Sequence, residues 1–422
     1  MRTPRKATTT PFPVPAAGGS FIDAVLRDHY DEWNLAGLGL GREWTTVFIT
    51  PQFTTSRHVV ALIFAPGARQ PSLVVKVPRC PGDNEGVLRE ADMLWQLGVL
   101  GGDQVEGVPR VVAALDLSGH TVLVETPLTG PALDPDRVAA DLPVAVALGV
   151  DFIDSLPCTR PAAGNEGWYE RTVERPLQAL ELLLPGEDEL TDLVGRTHEA
   201  LQPLRSAQLP AVFEHADLSH PNLLIGPAGR LQVMDWERAS AYGLPGHDLT
   251  FYLQYLSESA EQAFERPAQL AAFDTAFGRD GWAREPLRQH LVRRDIDPAL
   301  LPALVLATWA RSASTLAFRL AAESAEPGGQ AQGDGAGGAE AGTGDRGDRA
   351  GERPGPAVLG GPETPAGPEA QTPQPGAAVG AGAGPVAAPA GAAPRGPAEV
   401  RRAVFGDRDF WLWRHAATAG VL

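Results

Sequence analysis

The chain has 422 residues, enough for two lobes or two domains with ample core. Its 35 Lys and Arg against 52 Asp and Glu leave a net charge of −17, which argues against a general nucleic-acid binder. That charge suits cationic or neutral small partners, and equally well solubility alone. Two cysteines, Cys80 and Cys158, are too few for a disulfide framework or a zinc site; they fit a reducing compartment, and a cytoplasmic location is expected. The first residues, M-R-T-P-R-K-A-T-T-T-P-F-P-V-P, carry no apolar segment of a secretory signal, and no run of about 18 apolar residues predicts a membrane span.

Residues 1 to 20 are rich in Pro, Thr and Ala and are expected to form a disordered tail. Phe21 to Tyr30 has the spacing of a short amphipathic helix. Five β-branched runs bounded by Gly and Pro follow: Trp44–Thr50, His58–Phe64, Leu73–Val77, Val108–Leu115 and His120–Glu125. After the third comes a helix from Asn84 to Leu97, with Asp83 or Asn84 as its cap and Gly98 as its stop. Val87, Ala91 and Leu94 form its apolar face, and Glu90 falls among them. A carboxylate there needs a cation. Lys76, alone among apolar neighbours in Leu73–Val77, needs an anion; each charge accounts for the other.

From Pro131 helices take over. Leu142–Leu156 reads as a buried helix, and Trp168–Leu184 and Asp188–Leu204 have helical periodicity. Glu166, Glu170, Glu174 and Glu181 make this region acidic, as a solvated face would be. Then comes His215 to Glu237, H-A-D-L-S-H-P-N-L-L-I-G-P-A-G-R-L-Q-V-M-D-W-E. Two short apolar runs flank the turn residues Gly226 to Arg230, which predicts a hairpin. Folding it midway between Ala228 and Gly229 puts Asn222 opposite Asp235. An amide oxygen beside a carboxylate suits a hard cation such as magnesium, with phosphate oxygens completing its shell. Asp217, five residues before Asn222, can reach a substrate hydroxyl from there.

Gly243–Leu249 leads into another apolar helix, with Asp248 placed to cap its start. Leu300–Leu320 reads as a core helix. Residues 323 to 397 are dominated by Gly, Ala, Pro and Gln and cannot bury a core. Val400–Ala416 resumes as a helix carrying Phe405, Phe410, Trp411 and Trp413, so the low-complexity stretch reads as an insert between two helices.

The spacing Asp217-x4-Asn222, followed after a short hairpin by Asp235-Trp236-Glu237, is a phosphoryl-transfer arrangement. It resembles the aminoglycoside phosphotransferase and choline kinase-like families, with Ala216 where they have glycine and Met234 where they have isoleucine. The resemblance implies a two-lobe, protein kinase-like α+β fold, with a five-stranded N-lobe holding one helix and a mostly helical C-lobe. The expected division is a tail (1–20), a nucleotide-binding N-lobe (21–125), a catalytic and acceptor-binding C-lobe (126–322), an insert (323–397) and a terminal C-lobe helix (398–422). It implies Asp217 as catalytic base, Asn222 and Asp235 as Mg2+ ligands, and Lys76, held by Glu90, on the phosphates of ATP. His215 is expected to brace the loop, Glu237 to bond nearby backbone, and Asp248, which resembles the families' Asp-Leu after the metal-binding motif, to brace the catalytic loop. A phosphate-covering loop is expected within Thr50–Arg57, which has no glycine, its Ser and Thr hydroxyls and Arg57 being the available donors. Glu125–Gly130 resembles the interlobe hinge that binds adenine, and also reads as a plain strand-to-helix loop. The expected activity is ATP-dependent phosphorylation of a hydroxyl on a small, cationic or neutral acceptor, without nucleic-acid or membrane partners. A nucleotide-binding pseudokinase and a protein kinase are the alternatives.

Overall fold

The computed structural model describes residues 19–49, 58–102, 105–159, 165–325 and 397–418. All of them fall in one compact unit. Helix α1 (Phe21–Asp28) begins with a reciprocal cap: the Ser20 hydroxyl accepts the Asp23 N–H at 3.1 Å, and the Asp23 carboxylate accepts the Ser20 N–H at 2.7 Å. Strands β1 (Thr45–Ile49), β2 (His58–Phe64) and β3 (Leu73–Pro78) follow, then helix α2 (Glu85–Gly101) and strands β4 (Val111–Leu117) and β5 (His120–Glu125). They form an antiparallel five-stranded sheet in the order β1-β2-β3-β5-β4. The expected covering loop, 50–57, lies outside the described residues.

Alternation along the strands decides what each face carries. Val75 and Val77 of β3 and Val122 and Val124 of β5 pack with Ile22, Val25 and Leu26 of α1. The opposite face carries Lys76, which pairs across to Leu123, and Val74, which pairs to Glu125. Val87 and Ala91 of α2 pack there on Leu123. Helix α2 does not stop at Gly98 but runs to Gly101, and Asn84 stands at its N-cap position without a capping hydrogen bond from its side chain. The Asn84 amide instead donates to the Gly119 carbonyl at 3.0 Å and its oxygen accepts the Thr121 N–H at 2.8 Å, which ties the helix start to the β4–β5 turn.

The helical lobe contains α3 (Pro135–Ala140), α4 (Leu142–Ser155), α5 (Arg175–Leu183), α6 (Asp188–Ala200) and α7 (Gln202–Arg205). Short strands β6 (Val212–Glu214), β7 (Leu223–Ile225), β8 (Leu231–Val233) and β9 (Ser240–Gly243) come next. Then follow α8 (His247–Ala260), α9 (Arg266–Phe277), α10 (Arg284–Arg293), α11 (Leu301–Ala325), α12 (Pro397–Gly406) and α13 (Arg408–Thr418). Two helices expected to be continuous are divided, and a third, Trp168–Leu184, is continuous but contains a π-helical turn. A π-helical turn, Glu170–Glu174, precedes α5. A break at Leu201 separates α6 from α7, which has Pro203 in its first turn. Asp407 separates α12 from α13, its carboxylate accepting the N–H groups of Asp409 at 2.9 Å and Phe410 at 3.3 Å. Trp236, Trp309, Trp413, Phe273 and Phe277 are fully buried in the core of this lobe. Pro298–Ala317 has the length and hydropathy of a membrane-crossing helix, but 72% of it is buried inside the protein, as in a core helix.

The hairpin register differs from expectation by one residue. Leu223 pairs with Val233, Leu224 with Gln232 and Ile225 with Leu231. The turn has three residues, Pro227, Ala228 and Gly229. Gly229 donates its N–H to the Gly226 carbonyl at 2.9 Å and takes φ +69°, the left-handed position that closes a three-residue hairpin loop. An odd loop moves the midpoint onto Ala228, so Asn222 lies opposite Met234, whose N–H it accepts at 2.9 Å, and Asp235 is the next residue.

Candidate active site

Lys76 is 6% exposed and Glu90 1%, and their charges meet at 2.6 Å between Nζ and Oε1. The same Glu90 oxygen accepts the Trp236 N–H at 3.0 Å. One carboxylate on α2 therefore fixes the lysine of the sheet and the segment bearing Asp235. The pairing inferred from two isolated charges is present. A partner the sequence did not reveal is Glu125, 3% exposed, whose Oε1 lies 3.4 Å from the Lys76 ammonium. Burial pulls the Lys76 ammonium down, but the Glu125 and Glu90 carboxylates outweigh it and hold it above the usual lysine range. Burial pushes Glu125 up to about 7.

The loop from His215 to Asn222 is held from several sides. Asp248, in the first turn of α8, accepts the N–H groups of His215 at 2.7 Å and Ala216 at 2.8 Å. It braces the loop; the capping position of α8 belongs to Gly246. Burial and the nearby Glu214 charge push Asp248 up to about 7. His215 Nε2 donates to the Met234 carbonyl at 2.9 Å and Nδ1 accepts the Asp217 N–H at 3.2 Å, an arrangement that requires the neutral ring. Burial holds His215 below the usual histidine range, in agreement. The Asn222 amide donates to the Asp217 carbonyl at 3.1 Å.

Beneath this loop Glu214 forms a two-point ion pair with Arg311 of α11 and accepts the Leu244 N–H at 2.9 Å. Burial acts to raise Glu214, but the guanidinium prevails and holds it below the usual carboxylate range. Neither Arg311 nor Glu214 carries a sequence signal beyond an acid in a short apolar strand and a base in a core helix.

Asp217 is partly open to solvent, and its carboxylate lies 3.4 Å from the guanidinium of Arg238. Asp235 takes φ +66° directly after the hairpin pair Asn222–Met234. Its Oδ1 is buried and accepts no hydrogen bond among the described residues. An orphaned carboxylate oxygen one residue past the Asn222–Met234 pair fits a hard cation whose shell phosphate oxygens complete. Among the described residues no cluster of three or more His, Cys, Asp or Glu forms a self-sufficient metal cage. Burial, with the charges of Asp235 and Glu90, pushes Glu237 up to about 7, and its carboxylate abuts Gly86 at the start of α2.

A sequence profile described as the phosphotransferase enzyme family matches residues 59–315, well over half of the chain. No curated protein matches. Among solved structures, an aminoglycoside phosphotransferase, APH(4)-Ia, in ternary complex with ADP and hygromycin B is 14% identical. That match covers 70% of this chain and 93% of that one, at a TM-score of 0.43. The choline kinase LicA from Streptococcus pneumoniae is 12% identical over 72% and 93%, TM-score 0.42. A Plasmodium vivax ethanolamine kinase is 9% identical over 71% and 81%, TM-score 0.40. With its five-stranded antiparallel sheet, inserted helix and helical lobe, the chain belongs to the phosphotransferase enzyme family.

Proposed function

We propose that the protein transfers the γ-phosphoryl group of ATP to a hydroxyl of a small molecule. The observation that carries this is the double use of Glu90. By accepting both the Lys76 ammonium and the Trp236 N–H, it fixes a phosphate-binding cation relative to Asp235. Lys76 would bind the α/β-phosphates, and Asn222 and Asp235 would hold Mg2+. The metal would supply charge neutralisation between the β- and γ-phosphates. Asp217 stands beyond Asn222 on a loop braced by Asp248 and His215; it would orient the acceptor hydroxyl and take its proton. Positioning and electrostatics supply most of the rate in such sites.

A small acceptor is favoured over a protein. From Asp235 the chain passes through β9 directly into α8 at His247, leaving little room for a segment that docks a polypeptide. The negative chain suits amino-alcohols, amino sugars and aminoglycosides.

The test is phosphate transfer from Mg·ATP to a panel of these alcohols, with casein as the protein control, read by mass spectrometry of the acceptor. Asp217→Asn is expected to lose at least about a hundredfold in turnover while keeping Mg·ADP affinity. Asp235→Asn is expected to lose the magnesium dependence of nucleotide binding. An Asp217→Asn variant with near wild-type turnover removes Asp217 as the base. A wild type that binds nucleotide but phosphorylates nothing in the panel supports a pseudokinase.

A further inference from the structure

Lys76 has two carboxylates where one would neutralise it. They are not equivalent. Glu90 Oε1 receives the ammonium at 2.6 Å and the Trp236 N–H at 3.0 Å, so two donors stabilise its charge. Among the described residues Glu125 has only the 3.4 Å ion pair, and its Oε2 is buried with no hydrogen bond. A buried carboxylate oxygen without a donor is costly, and a neutral carboxyl costs less in the same place.

The charges around Glu125 come from every side. Lys76 is on β3 beside it, Glu90 on α2 above it, and Asp235 follows β8. His58 begins β2 on the same sheet face, where burial and the Lys76 charge hold its ring below the usual histidine range. Glu125, Glu90, Asp235 and Glu237 thus share one ammonium, with Asp83 acting on the His58 ring beside them. A phosphate chain entering this cluster adds further negative charge and competes for Lys76.

We propose that Glu125 is a positioning residue for Lys76, holding the ammonium in the nucleotide-free cleft and taking a proton from solvent when the phosphate chain binds. The lysine then passes from Glu125 to the phosphates while Glu90 keeps its hold. This rests on the cleft being the nucleotide site, as proposed above. The raised pKa of Glu125 places the exchange near neutral pH, and phosphate arriving nearby raises it further. By linkage, binding that takes up a proton weakens as pH rises.

The experiment is calorimetric titration of the full chain with Mg·ADP at pH 7, in two buffers of different ionisation enthalpy. Uptake of roughly half a proton per ADP is expected for wild type, since a group with a pKa near 7 is about half protonated beforehand. Wild-type affinity is expected to fall several-fold from pH 6 to pH 8. In Glu125→Gln the uptake disappears and the pH dependence flattens, with ADP still bound. Glu125→Met serves as a second variant with the same expectation. Infrared difference spectra of wild type on ADP addition should gain a protonated-carboxyl band, a readout that needs no variant. Binding of ADP with the same proton uptake in wild type and both variants, or no such band, overturns the proposal alone. Failure of wild type to bind ADP at all overturns the nucleotide-cleft reading, and the proposal with it.

Discussion

Ala216 takes φ +65°, a backbone that a Cβ resists at a cost of about 1–2 kcal/mol. It is kept there because its own N–H and that of His215 both end on the Asp248 carboxylate, while His215 reaches on to Met234. The alanine that stands where the resembling families have glycine is therefore the point where the loop carries strain. Glycine would relieve the strain but add about 0.5–1 kcal/mol of unfolded-state entropy to be lost on folding. Ala216→Gly is thus expected to be neutral or to stabilise by up to about 1.5 kcal/mol, read as a shift in urea midpoint at constant slope. A clear loss of stability would show that the Ala216 methyl packs more tightly than the strain costs. The neutral His215 ring makes no demand on a proton in this arrangement, which agrees with a bracing role.

Among the elements, α13 shows most clearly what a pattern conveys and what it conceals. Its aromatic run marked a helix that returns to the core, and Phe410, Leu412 and Trp413 are buried there. The pattern did not separate the two tryptophans. The Trp413 indole donates to the Thr197 hydroxyl of α6 at 2.9 Å and is fully buried. Trp411 is half-buried, with Arg266 at 4.3 Å from its ring centroid and Arg414 at 5.0 Å. Trp413→Ala is expected to cost about 3–5 kcal/mol in denaturant unfolding, and Trp411→Ala far less. Equal losses would mean that the solvated cation–π stack matters as much as the buried indole. The same contrast explains what was legible along the chain. Lys76 and Glu90 stood out because each charge interrupts an apolar pattern. Glu125 did not, because it closes a strand where a polar residue is ordinary, and only the β3–β5 register places it beside Lys76. The hairpin was legible from its turn residues, but its register depended on Gly229 adopting a left-handed conformation in an odd loop. Helices α3, α9 and α10 had no expectation attached. In α10 only Leu287, His290 and Leu291 are buried in a largely charged segment, which leaves little of an apolar stripe to detect.

At the scale of the whole molecule, the two ends of the low-complexity stretch are joined by packing. Helix α11 packs against α5, α8, α12 and α13, and α13 packs in turn on α6 and α9. Arg408 links them further: it pairs with Glu258 of α8 at 2.9 Å and lies over the rings of Phe251 and Trp309. Residues 326–396, the bulk of the expected insert, lie outside the described residues, and their composition carries the argument. Between 328 and 396 the only large apolar residues are Val358, Leu359, Val379 and Val386, too few to contribute a core. Replacing that stretch with a Gly/Ser linker of about 18 residues leaves a chain with an r.m.s. span of roughly 20–25 Å. It also shortens the closed loop by about two halvings, worth roughly 1.2 kcal/mol in favour of the folded state. The shortened protein is therefore expected to melt at the same temperature as the full chain or a few degrees above it, with Mg·ADP affinity unchanged. A lower melting temperature would show that the stretch packs on the domain despite its composition. An unchanged melting temperature with weaker ADP binding would show that it acts on the cleft between the sheet and the helical lobe.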